Sequence, residues 1–294
     1  MEIKKTTGER IFTVFNVIFM LFMIVITLYP MLYVLFASFS NANLLMAHQG
    51  VLLGPLGFST KAYAEVFKNS MVISSFKNTV IYVLVGTAIN MLVTTMGAYS
   101  LSRKRFRSRK YINIGIVITM FFSGGLIPTY LIVRDLGLYN SMWAIVLPLA
   151  INSWNLIVMR TTFAEFPEEL EEAATIDGAN DFYILFKIVI PLCNATIAVI
   201  ALFYAVANWN SWFQAAIYLS KRELYPLQLY LKEILISSNT DGMMGGASSA
   251  TDAEAISETI KYTVIVVSTV PILLVYPFLQ KYFVKGVMVG AIKG

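Results

Sequence analysis

Six stretches of this chain contain no Asp, Glu, Lys or Arg, at 11–60, 78–102, 111–133, 136–159, 188–220 and 262–280. Each can hold the roughly 20 apolar residues that a helix needs to cross a hydrocarbon layer about 30 Å thick. A water-soluble core has no use for so many. The residue balance agrees, since 57% of the chain is hydrophobic and 13% charged, where soluble domains carry about 25% charge. The expectation is an all-α, polytopic membrane protein with six transmembrane helices near 11–39, 71–102, 111–133, 141–162, 192–219 and 259–283. Span three is expected to kink beside Ser123, Gly124, Gly125 and Pro128, and prolines, tolerated in bundled membrane helices, also lie within spans one (Pro30), four (Pro148) and six (Pro271 and Pro277).

Charge sets the orientation. Arg103, Lys104, Arg105, Arg107, Arg109 and Lys110 follow span two directly. Beside a span this cluster reads as a topological anchor rather than a nucleic-acid surface, and it places both termini in the cytoplasm. The connection at 163–192 then faces the cytoplasm too. The single cysteine, Cys193, excludes an intramolecular disulfide framework and a Cys-rich metal site.

Several kinds of chemistry are missing. The one histidine, His48, sits in a loop, and no nucleophile triad or HExxH spacing occurs, so the chain is not expected to be an enzyme. The span cores hold no ionisable group, which disfavours an ion-coupled carrier. There is no phosphate loop of the form GxxxxGK[ST], so any ATPase would be a separate subunit. A secondary carrier of a small solute that does not use ATP is the alternative.

The one strongly polar segment, 166–191, decides between these. Pro167 is expected at the first position of a short helix, Glu168, Glu169 and Glu171 oppose its dipole, and Gly178 stops it. Leu170, Ala173, Ala174 and Asp177 share a face by spacing, with Glu172 available to a charged partner. Glu172-Ala173-Ala174, three residues, Gly178, nine residues, Ile188, one residue and Ile190-Pro191 resemble the cytoplasmic EAA loop of binding-protein-dependent ABC importer permeases, with Ile190 standing where the family usually has Leu. Phe122-Ser123-Gly124-Gly125-Leu126-Ile127-Pro128-Thr129-Tyr130, Trp209-Asn210-Ser211-Trp212-Phe213 and the ending 286–294 resemble the sugar branch of that family, that of the second maltose permease subunit. Within that branch they resemble in particular the permeases for polysaccharide-derived oligosaccharides.

The resemblance implies a type I ABC importer permease fold and the role of permease subunit in an ATP-driven oligosaccharide importer of the bacterial cytoplasmic membrane. It implies an amino-terminal tail, first span and external loop at 1–70, a permease core at 71–283 with its EAA loop at 163–192, and a cytoplasmic tail at 284–294. Glu172, Ala173, Ala174, Asp177, Gly178, Ile188 and Pro191 would dock the ATPase. The implied partners are a second homologous permease, two cytoplasmic ATPases that bind ATP and Mg, and an extracytoplasmic sugar-binding protein; the chain itself would hold no cofactor or metal. On span five, Asn208 and Trp212, like Asn210 and Gln214, stand at i, i+4. With Trp209, Asn152 and Asn155 they form a candidate sugar path, although tryptophans at this depth equally suit an interfacial belt. The loop at 237–250 has the Ser, Gly and Met content of a mobile segment that either enters the binding protein or acts as a spacer, and 252–260 can start a helix feeding span six.

Overall fold

The computed structural model describes residues 6–237 and 250–291. Most of the loop at 237–250 and the last three residues of the tail therefore lie outside the described residues. The chain divides into two compact units, Met1–Ser70 with Glu233–Thr269, and Met71–Lys232 with Val270–Gly294.

In the first unit, α1 (Thr7–Ser38) opens on a reciprocal cap. Thr6 N donates to Glu9 Oε2 at 2.7 Å and Glu9 N donates to Thr6 Oγ1 at 3.3 Å, satisfying two of the orphan donors at a helix start. The apolar side chains along α1 are largely exposed, as a lipid-facing or partner-facing span requires. Two short helices follow, α2 (Ala42–Ala47), capped by the Asn41 side chain, and α3 (Lys61–Lys68). Leu45 and Leu52 pack against Ala37, and the Ser38 and Tyr63 hydroxyls lie 2.8 Å apart.

The second unit is built on α4 (Ser70–Ser102). It also holds α5 (Arg109–Phe121), α6 (Leu126–Asp135), α7 (Trp143–Val146), α8 (Ser153–Ala164), α9 (Glu168–Ile176), α10 (Asp181–Tyr183), α11 (Ile190–Leu192), α12 (Asn194–Trp209), α13 (Phe213–Tyr218) and the first half of α14 (Leu227–Ser237). The stretch Ile184–Val189 between α10 and α11 is wound as a π-helix. Last comes α15 (Ala250–Ala291), a helix that carries Pro271 and Pro277 and incorporates the expected start at 252–260.

Among the described residues, three helical segments can each cross a membrane by length and composition, Thr7–Ser38, Ser70–Ser102 and Ile256–Val275. Counting each bent pair as one span raises the number to six. The bends are larger than the sequence suggests: 117° between α5 and α6, 49° within 143–164 and 90° between Asp181–Leu192 and α12. The kink expected in span three is thus a full break, with Gly125 at φ +88° supplying a backbone conformation that other residues rarely adopt.

Span four is not continuous either. Its chain leaves the helix after Leu149 and re-enters at Asn152, whose side chain accepts from Asn155 N at 3.0 Å. The expected span five over 192–219 is corrected most. Its helix ends at Trp209, because Ser211 Oγ donates to Asn208 O at 2.6 Å and Trp212 N to Asn210 O at 2.9 Å, local bonds that compete with the helical ladder.

Candidate functional site

The polar helix α9 is built as a surface element. Pro167 occupies the capping position with φ −58° and ψ 123°, one place before the helix rather than at its first residue, so Glu168 opens the helix. Glu168, Glu169 and Glu171 lie in the first turn, where negative charge is favoured by the helix dipole. At the other end Gly178 has φ +84°. Gly178 N donates to Thr175 O at 3.0 Å and Ala179 N to Ala174 O at 2.9 Å, the paired bonds of a Schellman stop. Asn180 then caps the next helix by accepting from Tyr183 N at 2.8 Å. Two reversals within a few residues leave α9 projecting between fixed ends.

Its faces differ from the spacing argument in one respect. Ala174 turns inward to the cluster around Phe163, Phe166, Ile184 and Val189, whereas Ala173 and Asp177 are exposed and Leu170 largely so. Ala174 is thus a packing residue for α9, and the outward surface consists of Glu172, Ala173, Asp177, Gly178 and Ile176, the last 86% exposed. Ile176 was missed by sequence reasoning. Its signal was available, since an isoleucine two residues before the stop of a charged helix has no large apolar neighbour on its own turn. Ile188 is half-buried against the same cluster, and Pro191 is exposed beyond the π-helical stretch.

The basic cluster after α4 does more than mark a membrane boundary. Arg103 is only 8% exposed. Its Nη1 lies 2.6 Å from Glu171 Oε1 and its Cζ stands 4.5 Å over the Tyr99 ring. Lys104 Nζ lies 2.5 Å from Glu168 Oε1, and Arg105 pairs with Asp181. Burial pushes the Glu171 carboxyl above its ordinary value and outweighs the opposing pull of Arg103. The Glu168 carboxyl is held below its ordinary value, chiefly by its hydrogen bond with Lys104. Arg103, Lys104, Arg105, Glu168 and Glu171 line a cleft of about 660 Å³ with Glu172, Thr175 and Ile176 on its helical wall.

A second polar group lies deeper, where spans four and five meet α4. Asn90 Nδ2 donates to Leu149 O at 2.7 Å and to Ala150 O at 3.0 Å, meeting carbonyls that the break in span four leaves without helical partners. Tyr204 OH accepts from Asn152 N at 3.0 Å and shares a bond of 2.7 Å with Thr94 Oγ1. Asn208 Nδ2 donates to Asn90 Oδ1 at 3.0 Å and to Thr87 Oγ1 at 3.3 Å. Gly86 makes room for this approach, because a Cβ there would sit 2.9 Å from Asn208 Nδ2. In hydrocarbon such groups have no water to fall back on, so the network is what allows these helices to break.

The candidate sugar path is therefore scattered. Asn208 and Asn155 are buried, Asn152 is a helix cap, and Trp209 packs edge-on to Phe76 with ring centroids 6.0 Å apart. The i, i+4 pairings of Asn208 with Trp212 and of Asn210 with Gln214 do not form, since the helix ends between them. Asn210 turns back to donate to Val206 O at 3.0 Å. Trp212 lies under Lys232, whose Nζ is 3.0 Å from the ring centroid, a cation–π contact that sequence spacing does not announce.

Comparison with known proteins places these features. Residues 80–289 match the family model described as binding-protein-dependent transport system inner membrane component. The chain is 42% identical over 287 residues to the polygalacturonan/rhamnogalacturonan transport system permease protein YtcP of Bacillus subtilis (strain 168), an alignment covering 97% of this chain and 99% of that one. It is 38% identical over 289 residues to protein LplC of the same organism, covering 98% and 97%. A crystal structure of a bacterial ABC transporter involved in the import of the acidic polysaccharide alginate contains a chain that superposes with a TM-score of 0.88 at 34% identity, covering 95% of this chain and 99% of that one.

Proposed function

This chain belongs to the family of binding-protein-dependent transport system inner membrane components, and on that premise we propose that it serves as one permease subunit of an ATP-driven importer of acidic oligosaccharides. It is a multi-pass inner-membrane component of an ABC carbohydrate importer, not an enzyme, and hydrolysis belongs to a separate ATPase. The acidic character of the sugar is supported by the two relatives whose names carry polygalacturonan/rhamnogalacturonan and alginate. The full assembly in this reading has a second, homologous permease, two ATPases holding ATP and Mg on the cytoplasmic side, and an extracytoplasmic sugar-binding protein. Both termini of this chain lie in the cytoplasm.

The observation that carries the reading is α9 itself, a short acidic helix turned outward in a membrane protein and ended by Gly178 in a left-handed conformation. Glu172, Ala173, Asp177 and Gly178 offer the contact surface, Ala174 and Ile188 pack against the cluster beneath it, and Pro191 lies exposed after the π-helical stretch. Binding of ATP to a closed ATPase pair would favour one arrangement of the permeases over the other, which is all that a coupled conformational change requires.

The test is reconstitution with an ATPase, a second permease and a loaded binding protein, reading stimulated ATP hydrolysis and oligosaccharide uptake. Gly178→Val, which forces a β-branched side chain into the left-handed region at about 2 kcal/mol, and Glu172→Lys are expected to abolish coupled uptake while all spans remain inserted. Wild-type uptake in both variants would remove α9 from the docking role.

A further inference from the structure

We propose that Arg103 is the positioning residue that makes α9 and the span α4 move as one body, so that displacement of the docking helix reaches the membrane. The inference rests on the docking role proposed above for α9.

A nine-residue helix is barely self-supporting in water. Alone on its two turns, at 165–167 and 178–180, α9 would roll or slide under load instead of transmitting it. Its apolar hold on the rest of the protein is modest, with Ala174 and neighbouring Ala179 packed against the cluster around Phe163 and Phe166. The three consecutive cations in the turn directly after α4 supply what that contact lacks. Lys104 reaches Glu168 in the first turn, Arg103 reaches Glu171 near the middle, and Arg105 reaches Asp181 just past the Gly178 stop. The start, middle and end of the docking element are thereby tied to one point on one span.

These ties are unequal. Lys104–Glu168 and Arg105–Asp181 lie largely in solvent, where water and salt screen them. Arg103 and Glu171 are mostly buried, and the guanidinium carbon stands 4.5 Å over the Tyr99 ring. A planar group stacked on one side and paired on another resists rotation as a flexible ammonium does not. Glu171 and Glu172 thus divide the work of one helix turn: Glu172 points outward to the surface a partner would meet, and Glu171 points inward to the span that must follow.

A topological anchor makes a different demand. If Arg103 served only orientation, the five other cations in the cluster would suffice without it. The experiment therefore uses the assembled complex in proteoliposomes and measures uptake per ATP hydrolysed, together with co-purification of the subunits. Arg103→Gln is expected to lower that ratio about tenfold, a coupling loss of ordinary size for linked sites, with assembly and basal hydrolysis retained. Arg103→Lys should fall between the two. Arg103→Glu combined with Glu171→Arg should recover coupling relative to either single change.

Should the swapped pair fail to insert, Arg103→Cys with Glu171→Cys in a Cys193→Ala background, bridged by a short bis-maleimide, gives an independent reading. The bridged complex is expected to transport and the unbridged one to hydrolyse without transport. Wild-type coupling in Arg103→Gln, or a bridged complex that hydrolyses ATP without uptake, would overturn the proposal. Failure of the wild-type chain to bind or stimulate an ATPase would instead strike the docking role itself, so the two ideas fall separately.

Discussion

Two polar assemblies in the same unit solve one problem with different chemistry. At the foot of α4, Arg103, Lys104 and Arg105 hold α9 with full charges. Higher on the same helix, Thr87, Asn90 and Thr94 hold the broken spans four and five with neutral amides and hydroxyls. Both fasten helices that interrupt themselves. Water is the difference: near the surface it shares the cost of an ion, whereas in hydrocarbon an unpaired charge is expensive and neutral groups that bond one another are tolerated. Glu171 sits at the boundary between these regimes, paired to a cation and yet with its carboxyl pushed upward by burial.

The comparison breaks most readily at Asn90. Asn90→Ala removes the donor to two carbonyls and the acceptor for Asn208, and is expected to cost about 3 kcal/mol, summing groups left unsatisfied in an apolar setting. Thermal unfolding of the purified protein in detergent should show a clear fall in midpoint; an unchanged midpoint would mean that water reaches this site and that the contrast with the charged foot is false.

A smaller effect tests the boundary residue. Glu171 has a raised carboxyl pKa, so between the ordinary carboxylate value and the raised one the folded state binds more protons than the unfolded. Its contribution to stability therefore falls as pH rises through that window. Glu168 is lowered, so its contribution is present above the ordinary value and is lost as pH falls through its depressed one. Melting midpoints taken across acidic pH should show Glu171→Gln removing the first trend and Glu168→Gln the second. The same slope in wild type and Glu171→Gln would show that the carboxyl is not titrating in a buried setting.

The smallest expected effect is that of Lys104→Ala. An exposed pair of this kind contributes little, so stability should be unchanged at physiological salt, with a slight loss appearing only at low ionic strength. A large loss at high salt would place Lys104 in the same class as Arg103.

Much of this was legible from residue order, and the exceptions have a common cause. Membrane insertion, a kink near Gly125, the Gly178 stop and the outward acidic helix all depend on neighbours within a few positions. The breaks in spans four and five do not show in hydropathy, which registers that 141–162 and 192–219 are apolar but not where a backbone carbonyl can find a donor. For Leu149 and Ala150 that donor is Asn90, some sixty residues away in sequence. The foot of α4 was half legible: six cations in eight residues were evident, but their acidic partners lie beyond two intervening spans. The i, i+4 pairings expected on span five fail for a related reason, because they presume a helix that ends locally at Trp209.

The stretch Ile184–Val189 has a consequence of its own. A π-helical turn holds one residue more than an α-turn, and such insertions concentrate at functional segments. The chain between the docking element and span five thus carries slack of a single residue, wound in rather than looped out. Released into ordinary α winding, that residue would turn everything beyond it by about 100° and advance it by about 1.5 Å. The segment can act as a gear with one spare tooth, converting a small axial pull into a change of facing.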